Sequence, residues 1–403
     1  MWILWFGVLL CSASYTMSVP FLPLFLFDLG VGEDTVNGWA GVVHSSAFLV
    51  GAVMAPLWGS VADKYGRKKM VLRAGFSLAL IYALFAFVRN PWELVAVRLL
   101  HGFVGGFVPA SMAIVSSVAP KEKMGWSLGM MQAGAMSGGI LGPVFGGLLA
   151  EWLGMRTSFV AAGALIFAAT AAVLFTVREG KPAAPPKPAS VRDDLANVFR
   201  RKTLLYLLLL LVAFQMTYNM IQPLLTLHIA DLQGGVEDAA LTSGIVFALI
   251  GIAGIVASPL WGRAGEKKGY PKVLTICFLG SAVAIGSQFF ISDLGLFTLV
   301  QFGFGLFMAG IMPAVNTLMV QNTPEDFRGR SFGLTASANQ SGAMIGPLLG
   351  GGLGGFLSFH WIFAAAGLMF AALAAAVWRM SGSISRASAG TEAPRHPVSN
   401  SRA

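Results

Sequence analysis

Twelve apolar runs, each near the roughly 20 residues that a helix needs to cross a hydrocarbon core, constrain this chain more than anything else in it. They fall at 3–27, 38–59, 71–89, 92–115, 126–150, 157–177, 203–228, 240–261, 272–291, 294–320, 331–356 and 359–379. None alternates polar and apolar residues over about 10 positions, as a membrane barrel strand does. The runs therefore predict helices whose solvent is lipid. The composition agrees: 56% of residues are hydrophobic and 11% charged. A soluble fold could not hydrate its surface with so few charges, so a soluble enzyme, a disordered chain and a disulfide scaffold are excluded. Cys11 and Cys277 lie inside apolar runs and read as small buried residues.

Lys and Arg set the orientation. Of 27 bases, 24 lie in the alternate loops, and at the span edges, of one side. The other side holds Arg89 and Arg156, and Arg98 lies inside a span. The carboxylates divide nine and nine. The base-rich side is expected to be cytoplasmic, with both termini there, in a cell (inner or plasma) membrane. The net charge of +9 is then a topology signal and not a nucleic-acid patch. Met1 stands almost inside the first run with no basic n-region, which predicts an uncleaved first helix.

Residues 178–202 hold ten charged residues and a proline-rich stretch, Lys181 to Pro188. They predict a cytoplasmic linker between six-span halves at 1–177 and 203–380, and the Ser/Ala/Arg-rich stretch 381–403 predicts a disordered tail. The halves repeat at an offset of about 203 residues. Tyr15 falls on Tyr218, Pro20 on Pro223, Pro56-Leu-Trp-Gly59 on Pro259-Leu-Trp-Gly262, and Gly142-Pro143 on Gly346-Pro347. An even number of spans per half makes the repeat parallel, with its axis along the membrane normal and a site between the halves.

Three segments carry a resemblance. Gly59-Ser-Val-Ala-Asp63-Lys64-Tyr-Gly66-Arg67-Lys68-Lys69 joins spans 2 and 3, Arg98-Leu-Leu-His101-Gly102 lies in span 4, and Gly138-Gly-Ile-Leu-Gly142-Pro143-Val-Phe-Gly146-Gly147 lies in span 5. They resemble the signatures of the major facilitator superfamily, the third that of its exporter branch. Pro20-Phe-Leu-Pro-Leu-Phe25 and Gly105-Gly-Phe-Val-Pro109 look most like multidrug efflux members. The resemblance implies twelve helices in two halves. It also implies a loop that locks the cytoplasmic ends of the halves, an arginine tied to proton coupling, and a glycine–proline hinge in span 5 with a copy at Gly346 and Pro347.

The residues bear their own readings. The bases of the first loop alone would serve as a positive-inside anchor, but a lone Asp63 among them suggests a placed ion pair. Arg98 is the one cation well within a span. Such a charge is costly and reads as functional unless it snorkels. It shares a helix face with His101, Gly102, Gly105 and Pro109, and a glycine-rich face packs on protein or lines a cavity. Near the middle of the spans there is no Asp or Glu. The other candidates for proton coupling are His101, His44 and Asp28. His44, beside Ser45 and Ser46, fits a hydrogen-bonded packing residue slightly better, and Asp28 fits a helix end at the interface. Tyr15, Gln132, Gln215, Tyr218, Asn219, Gln222, Asn316 and Asn339 are the expected substrate contacts. Buried amides need partners, and a nearly uncharged middle favours neutral, amphipathic or cationic compounds.

No phosphate-binding loop is present, since Gly180-Lys181 precedes a proline. Neither a His/Cys metal cluster nor a Ser-His-Asp set can be assembled. The chain reads as a monomeric transporter and not an enzyme. It would need no cofactor and no metal, and would use the proton gradient to export small hydrophobic or amphipathic substrates by alternating access. A narrow metabolite or siderophore exporter, a symporter of the same fold and a non-transporting sensor are the alternatives.

Overall fold

The computed structural model describes residues 2–118, 124–177, 201–323 and 328–389. Among these the chain is helical throughout. The first crossing is α1 (Trp2–Ser18) and α2 (Leu22–Asp28), joined by a single tight turn through Pro20. Then come α3 (Glu33–Tyr65), α4 (Arg67–Phe85), and a fourth crossing split into α5 (Pro91–Val104) and α6 (Phe107–Val118). The half closes with α7 (Met124–Leu153) and α8 (Met155–Thr176). The second half repeats the pattern in α9 (Lys202–Gln233), α10 (Ala239–Lys268) and α11 (Tyr270–Ser287). Its split crossing is α12 (Leu294–Met308) and α13 (Ile311–Gln321), followed by α14 (Arg328–Gly354) and α15 (Phe359–Ala389).

Twelve crossings in two six-helix halves result, as the apolar runs require. Ten are long and apolar enough on their own. The other two, α4 with Lys68, Lys69 and Arg73, and α14 with its Ser, Asn, Gln and Gly residues, are more polar and pack along α8 and α9 respectively. Helix ends extend a few residues beyond the apolar runs, because charged first and last turns can stay helical at the interface. The largest difference is α15, which continues to Ala389, well past the expected start of the tail at 381. Most of the expected linker and residues 390–403 lie outside the described residues.

Local chemistry sets the boundaries. Gly66 joins α3 to α4 at φ +101°, and Gly269 joins α10 to α11 at φ +89°, a region that side chains resist. α5 starts on Asn90, whose side chain accepts from the Glu93 N–H at 3.0 Å while Pro91 opens the helix.

Close packing follows the repeat. A β-carbon on Gly138 would lie 2.2 Å from the Leu9 carbonyl oxygen, and one on Gly146 2.2 Å from that of Met17. In the second half Gly342 meets the Val212 carbonyl at 2.4 Å and Gly350 that of Met220 at 2.0 Å. The two stripes thus press α7 on α1 and α14 on α9. With little hydrophobic drive between helices in lipid, such backbone approach is what holds a bundle together.

The halves meet through α3 with α14 and α7 with α10. Asn37 donates to the Gly354 carbonyl at 2.8 Å, Ser45 to that of Met344 at 2.7 Å and Thr226 to that of Pro20 at 2.8 Å. These bonds run from the base-poor end to about mid-depth, where Gln340 comes against Gly51. These contacts join the halves on the base-poor side, and the space between them reaches Arg67 and Arg73 toward the base-rich end.

Candidate functional site

Two cavities occupy that space, of about 890 and 750 Å³. They share Thr16 and Gly139 as walls, so they form one bilobed site between the halves. The first lobe is bounded mainly by the first half, with Tyr15, Trp58, Arg67, Arg73 and His101, and by Asn339 and Gln340 from α14. The second carries Gln132, Met136, Tyr218, Gln222, Met312 and Asn316. Among the described residues neither lobe is lined by a carboxylate.

Six of the eight expected substrate contacts line this site: Tyr15 and Asn339 in one lobe, Gln132, Tyr218, Gln222 and Asn316 in the other. Gln215 and Asn219 do not. They sit one turn apart on the face of α9 that meets α14, where Gln215 donates to the Asn339 carboxamide oxygen at 2.7 Å and Asn219 to the Gln215 carbonyl at 2.8 Å. Tyr218 and Gln222 occupy the neighbouring face, with the Gln222 amide donating to the Tyr218 hydroxyl at 3.0 Å. Sequence position placed all four on one helix, and helix rotation separates them.

Arg98 is completely buried. It neither snorkels nor lines the cavity. Its Nε donates to the Val43 carbonyl at 3.0 Å and one Nη to that of His44 at 3.2 Å. The other Nη lies 3.1 Å from His101 Nδ1. Because a guanidinium only donates, Nδ1 accepts, which places the ring proton on Nε2. Gly102 makes this possible, since a β-carbon there would lie 2.1 Å from the Ala47 carbonyl oxygen. His101 reaches the cavity on its other side, between the rings of Tyr15 at 5.8 Å and Tyr82 at 5.4 Å. His44 contributes its carbonyl, while its Nδ1 is buried without a partner. Asp28 is not part of this cluster. It is exposed at the base-poor end of α2.

The first-loop motif is only partly visible. Arg67 lines the cavity and donates to the Ala113 carbonyl at 2.6 Å, and Lys68 donates to that of Leu174 at 2.8 Å. The backbone at Gly59, Asp63 and Lys64 is helical, and their side chains lie outside the described residues.

Arg73 corrects the expectation that Arg98 is alone. It counted with the loop bases, yet α4 begins at Arg67, and the Arg73 side chain reaches inward to the break in the fourth crossing. That break is Gly105-Gly106, with Gly106 at φ +118°. An Arg73 Nη donates to the Gly105 carbonyl at 3.0 Å and weakly to that of Val104 at 3.4 Å. Its guanidinium carbon lies 3.5 Å from the Trp58 ring centroid. Trp58 in turn donates to the Phe103 carbonyl at 2.6 Å. The second half repeats the tryptophan, with Trp261 donating to the Leu306 carbonyl at 2.7 Å, but has Ile276 and Cys277 near the place of the arginine. The tryptophan repeat was the available sequence signal for this joint.

Among the described residues no group of three or more His, Cys, Asp or Glu side chains is placed to hold a metal ion. The family profile described as Major Facilitator Superfamily matches residues 4–263 and again 238–401. The chain belongs to the major facilitator superfamily. It is a multi-pass membrane transporter of small molecules and not an enzyme, and its two profile matches overlap the two halves.

Within the superfamily it is 34% identical over 361 residues to the multidrug resistance protein MdtG of Klebsiella pneumoniae (strain 342), covering 89% of this chain and 88% of that one. Against the same protein of Salmonella paratyphi A the identity is 33%, covering 89% of each. Among solved structures, the nucleoside transporter NupG superposes with a TM-score of 0.76 at 14% identity, covering 94% of this chain and 98% of that one. A bacterial homologue of the lysosomal transporter Spinster, inward-facing and unoccupied, gives 0.74 at 13% identity and covers 96% of each. At such identities these two structures speak for the fold alone.

Proposed function

We propose that this transporter is an inner-membrane multidrug exporter that couples efflux to proton entry by alternating access. The bilobed cavity carries the reading: it lies between the halves, with walls of aromatic, Met and uncharged polar residues beside Arg67 and Arg73, and no carboxylate among the described residues. Such surfaces adapt to varied amphipathic compounds. The kinship with proteins named for multidrug resistance supports the same conclusion.

With the base-rich loops and both termini in the cytoplasm, this conformation is inward-facing and loads substrate from the inside or the inner leaflet. The opposite state would close the loop at Asp63, Gly66 and Arg67 against the second half. Gly138, Gly142 and Gly146 in α7, and Gly346 in α14, keep their packing within each half while the halves rock as units, and Pro143 and Pro347, which face the opposite half, exchange theirs. His101 touches the cavity on one side and Arg98 on the other. Exchange at the cavity and hydrogen bonding to Arg98 are thereby linked through one ring, which supports this pair as the seat of coupling. The chain works as a monomer, since one copy contains both halves of the site.

Energised inverted vesicles with a pH-gradient dye test this. Adding compounds from a panel of drugs and dyes is expected to release protons only in vesicles containing the protein. Silence across the panel, with labelled metabolites carried instead, would replace the multidrug reading by a narrow exporter or a symporter.

A further inference from the structure

Two cations line the first lobe, Arg67 and Arg73, and Arg73 has no counter-ion among the described residues. Arg73 lines it, half-buried, with one face of the guanidinium covered by Trp58. The acceptors it meets are two neutral backbone carbonyls at the helix break, and its Nε is buried with no acceptor at all. A guanidinium has five N–H donors, so these carbonyls leave both charge and donors unmatched. Stacking on an aromatic face fixes the plane of the fork without neutralising it. Arg98 cannot play this part, because it is completely buried and already engaged by three acceptors. The second lobe has no charged wall among the described residues and is lined by Met136, Ile140, Phe247 and Met308. The joint at Trp261 is built without a cation at all. The site is therefore polarised, with cations in one lobe and an uncharged chamber, part polar and part apolar, in the other.

We propose that Arg73 is the anion-recognising residue of the cavity, and that the compounds bound include amphipathic organic anions, with the acidic group on its guanidinium and the apolar body in the second lobe. This deepens the transport reading and rests on it. It reverses the preference for neutral or cationic compounds that a nearly uncharged sequence suggests. A carboxylate, sulfonate or phosphonate would each suit a planar fork that has donors to spare.

The test uses the purified full chain in detergent and two matched fluorescent probes, dansyl-aminoundecanoate and its uncharged amide. Wild type is expected to bind the carboxylate at least about tenfold more tightly than the amide, the size of one charge-assisted hydrogen bond. Arg73→Gln is expected to bring that ratio close to one. Arg73→Met, whose stem still packs on Trp58, serves the same comparison if the Gln variant does not fold. Equal binding of both probes by wild type, or a ratio that survives removal of Arg73, would overturn the assignment while leaving transport intact. Binding of neither probe would remove the transport reading, and this inference with it.

Discussion

Gly41 and Gly244 stand 203 positions apart and do the same thing: a β-carbon on either would lie 2.4 Å from the carbonyl oxygen of a proline in the opposite half, Pro347 for Gly41 and Pro143 for Gly244. The two prolines thus face the partner half, while Gly142 and Gly346 beside them pack within their own. Both contacts join the halves on the base-poor side. Gly41→Val and Gly244→Val are expected to push the base-poor ends apart and favour the opposite conformation. Spin labels at Thr35 and Leu357 should report a longer distance in either variant. An unchanged distance would show that this junction survives without close backbone contact.

Inside each half the glycine stripes are under equal pressure. Gly146→Ala and Gly350→Ala each force a methyl group against a backbone carbonyl, which costs roughly 1–3 kcal/mol. Thermal unfolding in detergent should fall for each. The double variant should show the sum, because sites in separate halves share no partners. A clearly smaller sum would reveal coupling between the halves.

Arg98→Lys keeps the charge but not the fork that bridges Val43, His44 and His101. Proton release on substrate addition is expected to fall at least about tenfold, matching the loss of a charged hydrogen bond. Membrane insertion should be retained, read as the amount of protein in the vesicle fraction. Normal proton release in this variant would separate Arg98 from coupling.

Trp58→Phe and Trp261→Phe remove equivalent indole donors, each leaving a carbonyl unmatched at a cost of about 1–3 kcal/mol. Only the first also weakens a stacked guanidinium. Trp58→Phe is therefore expected to lower the unfolding temperature more than Trp261→Phe. The reverse order would mean that Arg73 holds the joint without its aromatic partner.

The twelve crossings, the two halves and their repeat were legible because lipid imposes a length on each helix, and the offset of Tyr15 on Tyr218 carries through to the packing. Six residues of the cavity wall were legible as polar residues stranded in apolar runs. Gln215 and Asn219 share α9 with Tyr218 and Gln222, and only a fraction of a turn about the helix axis directs the first pair to α14 and the second to the cavity. Arg73 was hidden for a different reason. In sequence it adjoins Lys68 and Lys69, and only the break at Gly105-Gly106 and the plane of Trp58 draw it inward. Both come from distant parts of the chain.

The bonds from Arg98 to Val43 and His44 also bear on biosynthesis. An arginine at the centre of a lone helix costs about 2.5–3.5 kcal/mol to insert. The carbonyls that receive it belong to α3, which leaves the ribosome before α5 does. A backbone acceptor exists whatever side chain stands at its position. The fourth crossing therefore meets a ready partner as it enters the bilayer, and the cost of its charge orders the assembly of the first half.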